Sequence, residues 1–405
     1  VDLPLIKGME GNPDDILAKM CRKKFREKRN EFFDTDLYLS RMNYELKLIR
    51  DKNFSNYFLI VWEITDWCRK NNILTGIGRG SVSGSLIAYL LGITNVDSIK
   101  WNLMFERFIS PGRKDFPDID LDIEDTKRDI LRQHLSDLYG EYNVANISTF
   151  LQIKDRMAIR DVGRVFEINS SDIDMFANSL GGDENIDWAV ENTEEGKQFY
   201  QKYSNEVEIA KKLSGKIRGV GSHAAGIVIS KEKIIDGGKA NLIKNKEISI
   251  NWDKKDAEYM GMLKIDILGL SNLSIVNECI SLIKKNKNID VDIKNISFDD
   301  EKIFEEFSLG NCTGCFQFNT KGLRSFCKRL KIEKFETLIH ATALYRPAII
   351  KRGLLDEFII RKKNQNKIFY KHNKINDVLG STYGIILYQE QLMRIVTEVA
   401  LMDFV

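Results

Sequence analysis

One short segment of strict alternation constrains the fold of this chain more than any other feature. It runs from Pro117 to Glu124 and places three apolar side chains on one face of an extended segment and three acids on the other. The apolar residues are Ile119, Leu121 and Ile123, and the acids are Asp118, Asp120 and Asp122. A period of two residues predicts a half-buried β-strand, so the chain must build a sheet with one acidic face.

The acids of this segment form a candidate metal site. Side chains two residues apart on a strand lie about 6–7 Å apart, so Asp118 and Asp120 would repel each other unless cations neutralised them. An acidic strand face is commonly only solvated, but a second alternating segment, predicted as a strand from Met262 to Leu268, carries Asp266. Because hard divalent cations prefer oxygen ligands, an acid on a second strand could complete a site for two metal ions.

A glycine-rich turn ahead of the acidic strand is a candidate anion site. Arg79, Gly80 and Ser81 lie where a turn enters a segment predicted as a helix from Ser81 to Leu91. Backbone N–H groups at such a turn attract phosphate, glycine allows close approach, and arginine adds a charged donor. A glycine turn, an acidic strand and a third acid on another strand follow each other in this order in polymerase-beta-like nucleotidyltransferases.

The remaining pattern is mainly helical, which predicts a mixed α/β fold. Residues 146–219 and the region after 271 have helical patterns, and a further strand is predicted from Ala225 to Ser230. With 61 Lys and Arg against 59 Asp and Glu, the net charge is +2. That balance excludes a uniformly basic nucleic-acid binder, although not one with a segregated basic face. No apolar run approaches the roughly 18 residues of a membrane span, so no membrane association is predicted.

Ten sequence blocks between Tyr57 and Glu398 resemble the C-family replicative DNA polymerases, the family of the bacterial DNA polymerase III alpha subunit. They occur in the order that the family shows. The blocks are 76–81 (GIGRGS), 88–94 (AYLLGIT), 105–108 (FERF), 117–120 (PDID), 221–226 (GSHAAG), 264–270 (KIDILGL), 316–318 (FQF), 344–347 (LYRP), 383–384 (YG) and 387–391 (LYQEQ). One departure is Ile77, which stands where the family usually has proline.

The resemblance implies a role for each matching residue. The catalytic, metal-binding residues are Asp118, Asp120 and Asp266, with two Mg²⁺ ions, or Mn²⁺, as cofactors. The nucleotide-binding residues are Arg79, Gly80, Ser81, Arg346 and Gln389. The residues that bind DNA or phosphate are Arg107, Arg113, Lys264 and His223. For His223, which lies between a Gly-Ser pair and a predicted strand, a backbone-packing role is an equally good interpretation.

The resemblance also implies a fold and an activity. The expected fold is a polymerase-beta-like nucleotidyltransferase palm sheet (1–149 and 228–270) with a helical thumb insertion (150–227) and a mainly helical, partial fingers region (271–405). The expected activity is DNA-templated DNA synthesis from primer-template DNA and deoxynucleoside triphosphates. Two alternatives are a non-catalytic fragment that binds primer-template DNA and a template-independent nucleotidyltransferase.

Further expectations concern the chain's context. Family members have an additional domain before the matched region and further fingers, clamp-binding and oligonucleotide-binding regions after it. A chain that starts at Val1 is therefore expected to be a catalytic-core fragment or a reduced version. Other replisome subunits, namely the sliding clamp and the clamp loader, are expected partners through regions outside it. The expected location is the cytoplasm, in association with the nucleoid.

Overall fold

The computed structural model describes residues 3–6, 8–113, 116–181, 184–236, 239–243, 247–365, 368, 370 and 372–403. The chain divides into two compact units. The larger unit combines Leu5–His134 with Ile265–Val405, and the smaller unit combines Leu135–Lys264 with Val1–Pro4. Among the described residues, no helix is both long enough and apolar enough to span a membrane.

The first part of the larger unit is built around one buried helix. The elements up to the end of α5 are α1 (Pro13–Lys28), α2 (Thr35–Asp51), α3 (Ser55–Lys70), α4 (Leu86–Leu91), β1 (Asp120–Glu124) and α5 (Arg128–Tyr139), with 3₁₀ turns at Arg29–Glu31, Gly80–Gly84, Phe105–Arg107 and Asp125–Lys127. Helix α3 is apolar around most of its circumference, so it is buried on several sides rather than along one stripe. Its Tyr57, Phe58 and Ile60 are completely buried.

The smaller unit combines a sheet with a cluster of helices. Its elements are β2 (Val144–Gln152), α6 (Asp155–Val165), α7 (Ser170–Ser179), α8 (Ile186–Asn192), α9 (Glu194–Lys202), α10 (Ser204–Leu213), β3 (Ile217–Ile229), β4 (Ala240–Ile243), β5 (Glu247–Ile250) and α11 (Lys254–Tyr259), with a 3₁₀ turn at Glu141–Asn143. Strand β2 pairs antiparallel with β3 and parallel with β5, and β4 pairs antiparallel with β5. Helices α6 to α10 pack around their own apolar core, which includes Ile159, Phe176 and Phe199.

The chain then returns to the larger unit. The elements are β6 (Lys264–Leu270), α12 (Ser271–Lys287), α13 (Glu301–Leu309), α14 (Lys321–Leu330), α15 (Phe335–Leu344), α16 (Pro347–Lys351), α17 (Leu354–Lys363), α18 (Asn373–Leu379) and α19 (Gln389–Arg394), with 3₁₀ turns at Ile293–Asn295 and Gly380–Thr382 and a π-helical turn at Ile395–Val399. Strand β6 pairs in parallel with β1. Helices α13 to α17 share a core that contains Phe326, Leu344 and Phe358.

The structure confirms a mixed α/β fold and changes several predicted elements. The predicted helical region from 146 onward is wrong at its start, where β2 continues to Gln152. The predicted strand at 225–230 is the end of a longer strand, β3, that pairs with β2. The helix predicted from Ser81 to Leu91 is interrupted, since a 3₁₀ turn precedes Ser85, whose hydroxyl caps α4. The assignment of a palm, a thumb and fingers stays a prediction.

Candidate active site

Parallel pairing of β1 with β6 places two of the predicted acids side by side. The register aligns Asp120 with Asp266, and the pairing continues to Glu124 and Leu270. The alternating residues on the other face of the two strands, and Ile119 just before β1, are buried: Ile119, Leu121, Ile123, Ile265 and Ile267. Burial of this apolar face holds both acids on the opposite face, because successive strand residues point to opposite sides.

Three carboxylates meet at this point. Asp118, Asp120 and Asp266 each offer an oxygen, and the three oxygens lie within 4.8 Å of one another. Asp118 is exposed, and the other two are partly buried. An all-oxygen, all-carboxylate set fits Mg²⁺ or Mn²⁺ and lacks the nitrogen or sulfur ligands that zinc sites normally contain. The three residues therefore fit a divalent cation, while their role in binding one stays a prediction.

The glycine-rich turn lies against the acidic strand. The Gly76 N–H donates to the Asp122 carbonyl oxygen at 2.8 Å, and Thr75 forms an antiparallel bridge with Ile123. A Cβ atom at position 76 would lie 2.9 Å from the Cβ of Asp122, so this approach requires glycine. Backbone pairing thus fixes the start of the turn to the strand that carries the acids.

The middle of the turn reaches the metal-site candidate itself. Gly80 has a φ of +69°, and a Cβ atom there would lie 3.4 Å from Asp120 Oδ2. Arg79 Nη1 donates to Asp122 Oδ1 at 3.1 Å, and its Nε lies 3.8 Å from Asp120 Oδ2. Ser81 follows within the 3₁₀ turn Gly80–Gly84. The Arg79 guanidinium, the left-handed Gly80 and the carboxylates of Asp120 and Asp122 therefore lie in one small region.

A buried carboxylate from α2 holds the far end of the turn. Glu45 is completely buried and accepts from the Ser85 hydroxyl at 2.8 Å and from the N–H groups of Leu86 and Ile87 at 2.9 and 3.0 Å. Burial raises the pKa of Glu45, and the neighbouring Arg41 opposes that shift. The sequence does not identify Glu45, because its partners in the turn, the Ser85 hydroxyl and the N–H groups of Leu86 and Ile87, lie about forty positions away.

Arg41 extends this support to the chain segment before Arg107. Its Nε donates to Glu45 Oε1 at 2.7 Å. Its Nη2 donates to the carbonyl oxygens of Gly84 and Leu103 at 2.9 and 3.1 Å. One guanidinium thus connects α2, the turn and the segment that continues into the 3₁₀ turn Phe105–Arg107.

Two residues that the resemblance assigns to DNA and nucleotide contacts bind each other. Arg107 Nε donates to Gln389 Oε1 at 2.9 Å, and its Nη1 lies 2.6 Å from Glu390 Oε1. Gln389 and Glu390 begin helix α19, which is more than 280 positions further along the chain. The structure therefore connects the segment before β1 to the helical region near the end of the chain.

The other predicted contact residues lie in different surroundings. Arg113 donates to the carbonyl oxygens of Phe108 and Phe116. Arg346 is exposed at the start of α16, and Lys264 is buried at the first position of β6. In the smaller unit, His223 Nδ1 accepts from the Gly226 N–H at 2.8 Å, which fits the backbone-packing interpretation. Their binding roles stay predictions.

Comparison with known proteins shows the family. A model of the bacterial DNA polymerase III alpha NTPase domain matches residues 15–269, and a model of the bacterial DNA polymerase III alpha subunit finger domain matches residues 272–404. The chain is 40% identical over 395 residues to the DNA polymerase III subunit alpha of Staphylococcus aureus NCTC 8325, covering 96% of this chain and 37% of that protein. It is 39% identical over 374 residues to the subunit of Staphylococcus epidermidis ATCC 35984, covering 90% of this chain and 34% of that protein.

This chain belongs to the bacterial DNA polymerase III alpha family. It spans little more than a third of the length of the curated relatives described above.

Proposed function

We propose that this chain contains the catalytic core of a DNA-templated DNA polymerase, which adds deoxynucleotides to a primer 3′-OH and releases pyrophosphate. The observation that carries this proposal is the meeting of Asp118, Asp120 and Asp266 within 4.8 Å, beside the Arg79–Gly80 turn. Family membership supports the same activity. The proposed substrates are primer-template DNA and deoxynucleoside triphosphates, and the proposed cofactor is a pair of Mg²⁺ ions or Mn²⁺.

Each part of the site has a proposed task in the transfer. The three carboxylates hold the cations, and the turn presents Arg79 and the backbone of Gly80 and Ser81 to the triphosphate. When bound, a pair of divalent ions lowers the pKa of the attacking 3′-OH and neutralises the leaving pyrophosphate. The chain itself contributes orientation and fixed charge, which supply most of the rate acceleration in phosphoryl transfer.

The remaining assignments complete the proposal. Residues 1–149 and 228–270 would form the palm, 150–227 the thumb and 271–405 part of the fingers. Further nucleotide contacts would come from Arg346 and Gln389, and contacts to DNA or phosphate from Arg107, Arg113, Lys264 and His223. The sliding clamp and clamp loader would be partners through regions outside this sequence, and the place of action would be the cytoplasm, at the nucleoid.

Primer extension with one deoxynucleotide at a time tests the proposed reaction. The chain, supplied with primer-template DNA, Mg²⁺ and a single triphosphate, is expected to insert only the nucleotide complementary to the next template base. Addition that ignores the template would favour a template-independent nucleotidyltransferase. Binding of primer-template DNA without extension would favour a non-catalytic fragment.

A substitution at Gly80 tests the nucleotide-binding turn. Gly80→Val puts a β-branched side chain at a φ of +69°, which costs about 1–2 kcal/mol and adds atoms beside Asp120 Oδ2. We expect the KM for the incoming triphosphate to rise about tenfold or more, with little change in primer-template affinity. Steady-state kinetics and a DNA-binding titration measure the two quantities.

Gly353→Val is the matched control for this substitution. Gly353 has the same φ of +69°, but a Cβ atom there would meet no atom within 4 Å. Gly353→Val therefore introduces the same backbone strain as Gly80→Val but adds no atoms beside Asp120. Equal changes in KM for the two variants would remove the Gly80 turn from the nucleotide site.

A further inference from the structure

A tyrosine lies directly beneath the three carboxylates. Tyr57 belongs to the buried helix α3, and none of its surface is exposed. Its hydroxyl oxygen accepts from the Ile119 N–H at 3.0 Å. Ile119 is the residue between Asp118 and Asp120, so this hydrogen bond is made to the backbone that carries two of the three acids.

This hydrogen bond holds the backbone just before the pairing of β1 with β6 begins. Strand β1 and its described pairing with β6 begin at Asp120, so the Ile119 amide precedes the strand ladder. The partner of that amide is therefore a side chain, held on a rigid helix, rather than another strand. Because Asp118 lies one residue further out and is exposed, its direction depends on how the Ile119 peptide is anchored.

Burial and the neighbouring acids both act on the pKa of Tyr57. Burial raises the pKa of Tyr57 most strongly, and the charges of Asp118, Asp266 and Asp120 raise it further. A raised pKa keeps the hydroxyl protonated, so Tyr57 adds no negative charge beside these acids. A neutral oxygen adds no further repulsion to a cluster that must accept cations.

We propose that Tyr57 is a positioning residue for the metal site, which orients Asp118 and Asp120 through the Ile119 peptide. This inference rests on the proposed function, because it assumes that the three carboxylates hold divalent cations. Supporting groups behind metal ligands typically alter metal affinity by 10–100-fold when they are removed. A purely structural role for Tyr57 would change stability and leave metal affinity unaltered.

Direct binding of Mn²⁺ alone to the full 405-residue chain tests the inference. The paramagnetic resonance signal of free Mn²⁺ gives the dissociation constant without any catalytic turnover. Tyr57→Phe removes the hydroxyl and keeps the ring, and we expect the dissociation constant for Mn²⁺ to rise about tenfold or more. An unchanged dissociation constant in the folded variant would overturn the inference.

Tyr38→Phe is the matched control. Tyr38 is also a buried tyrosine, 1% exposed, but it lies on α2 and its hydroxyl donates to Asp97 Oδ2 at 2.5 Å. Both variants lose one hydroxyl hydrogen bond, so we expect both to lower the melting temperature and only Tyr57→Phe to weaken Mn²⁺ binding. Equal weakening of Mn²⁺ binding in both variants would mean that the lower stability of the chain causes the effect, and it would overturn the inference.

Two further variants keep the outcome interpretable. Asp120→Asn is the first, because it should lose Mn²⁺ affinity whether or not Tyr57 orients the acids. If Asp120→Asn bound Mn²⁺ as tightly as the unaltered chain, the proposed metal site itself would be wrong. If Tyr57→Phe does not fold, replacement of Tyr57 by 3,5-difluorotyrosine keeps the ring and weakens the oxygen as an acceptor. That variant should still raise the dissociation constant, and an unchanged value would overturn the inference.

Discussion

Asp120→Asn is expected to abolish templated primer extension, with a loss of at least about a thousandfold in the single-turnover rate. The substitution keeps the shape of the side chain and removes one negative charge from a set of three oxygens that lie within 4.8 Å. With one carboxylate fewer, the site would hold its cations less well, and those cations would supply the counter-charge for the transferred phosphate. The residues proposed to bind DNA are unchanged. Rapid-quench extension and a primer-template titration on the same preparation separate the two effects.

Asp122→Asn is the matched control for this variant. Asp122 lies on the same face of the same strand, but its carboxylate binds Arg79 and it does not belong to the group of three. We expect it to retain most of the extension rate. If Asp120→Asn extended primers nearly as fast as Asp122→Asn, the assignment of the catalytic acids would be wrong.

Glu45→Ala is expected to cause the largest loss of stability of any substitution considered. Glu45 is completely buried and accepts hydrogen bonds from Ser85, from two backbone amides and from Arg41. Removing the carboxylate leaves three buried donors, the Ser85 hydroxyl and the N–H groups of Leu86 and Ile87, without an acceptor, which costs about 1–3 kcal/mol for each group. Against a typical total of about 5–15 kcal/mol, that loss is large. Urea unfolding with and without the substitution measures it.

Two control variants identify the cause of this loss. Glu45→Gln keeps the shape and one acceptor oxygen, so its free energy of unfolding should fall between those of the unaltered chain and Glu45→Ala. Glu27→Ala removes an exposed acid that pairs with Lys24, and it should leave the free energy of unfolding nearly unchanged. If Glu45→Ala were no more destabilising than Glu27→Ala, the proposed support of the turn would be incorrect.

The local pattern in the sequence predicts the centre of the candidate site well. The alternation around Asp120 indicates a strand because its apolar face must be buried whatever the remaining fold is. A similar alternation around Asp266 indicates the second strand. The two alternating segments predict that the acids can share a site, but the parallel register that aligns Asp120 with Asp266 is not encoded locally.

Elements that depend on distant partners are less predictable. The pattern predicts a helical region from 146 onward, but residues 146–152 belong to strand β2, which its long antiparallel pairing with β3 stabilises. The actions of Glu45 and Tyr57 are also invisible in sequence. Each accepts from a backbone amide, about 40 positions away for Glu45 and 62 positions away for Tyr57. Because nearly every residue has such an amide, the partner leaves no recognisable pattern in the sequence.

The contact of Arg107 with α19 is also not predictable from the local sequence. The resemblance assigns Arg107 to DNA contacts and Gln389 to nucleotide contacts, but nothing in their local sequence predicts that they bind each other across more than 280 positions. Long-range ion pairs of this kind follow from the packing of whole helices, which the apolar pattern determines only in outline.

Anomalous scattering from Mn²⁺, in crystals of the chain with primer-template DNA and an incoming nucleotide, would show whether the three carboxylates hold the metal ions. We expect two Mn²⁺ peaks about 3.5–4 Å apart, both bound by oxygens of Asp118, Asp120 and Asp266, with the triphosphate against the Gly80 turn. A single unrelated Mn²⁺ site, or no peak at the three carboxylates, would contradict this expectation.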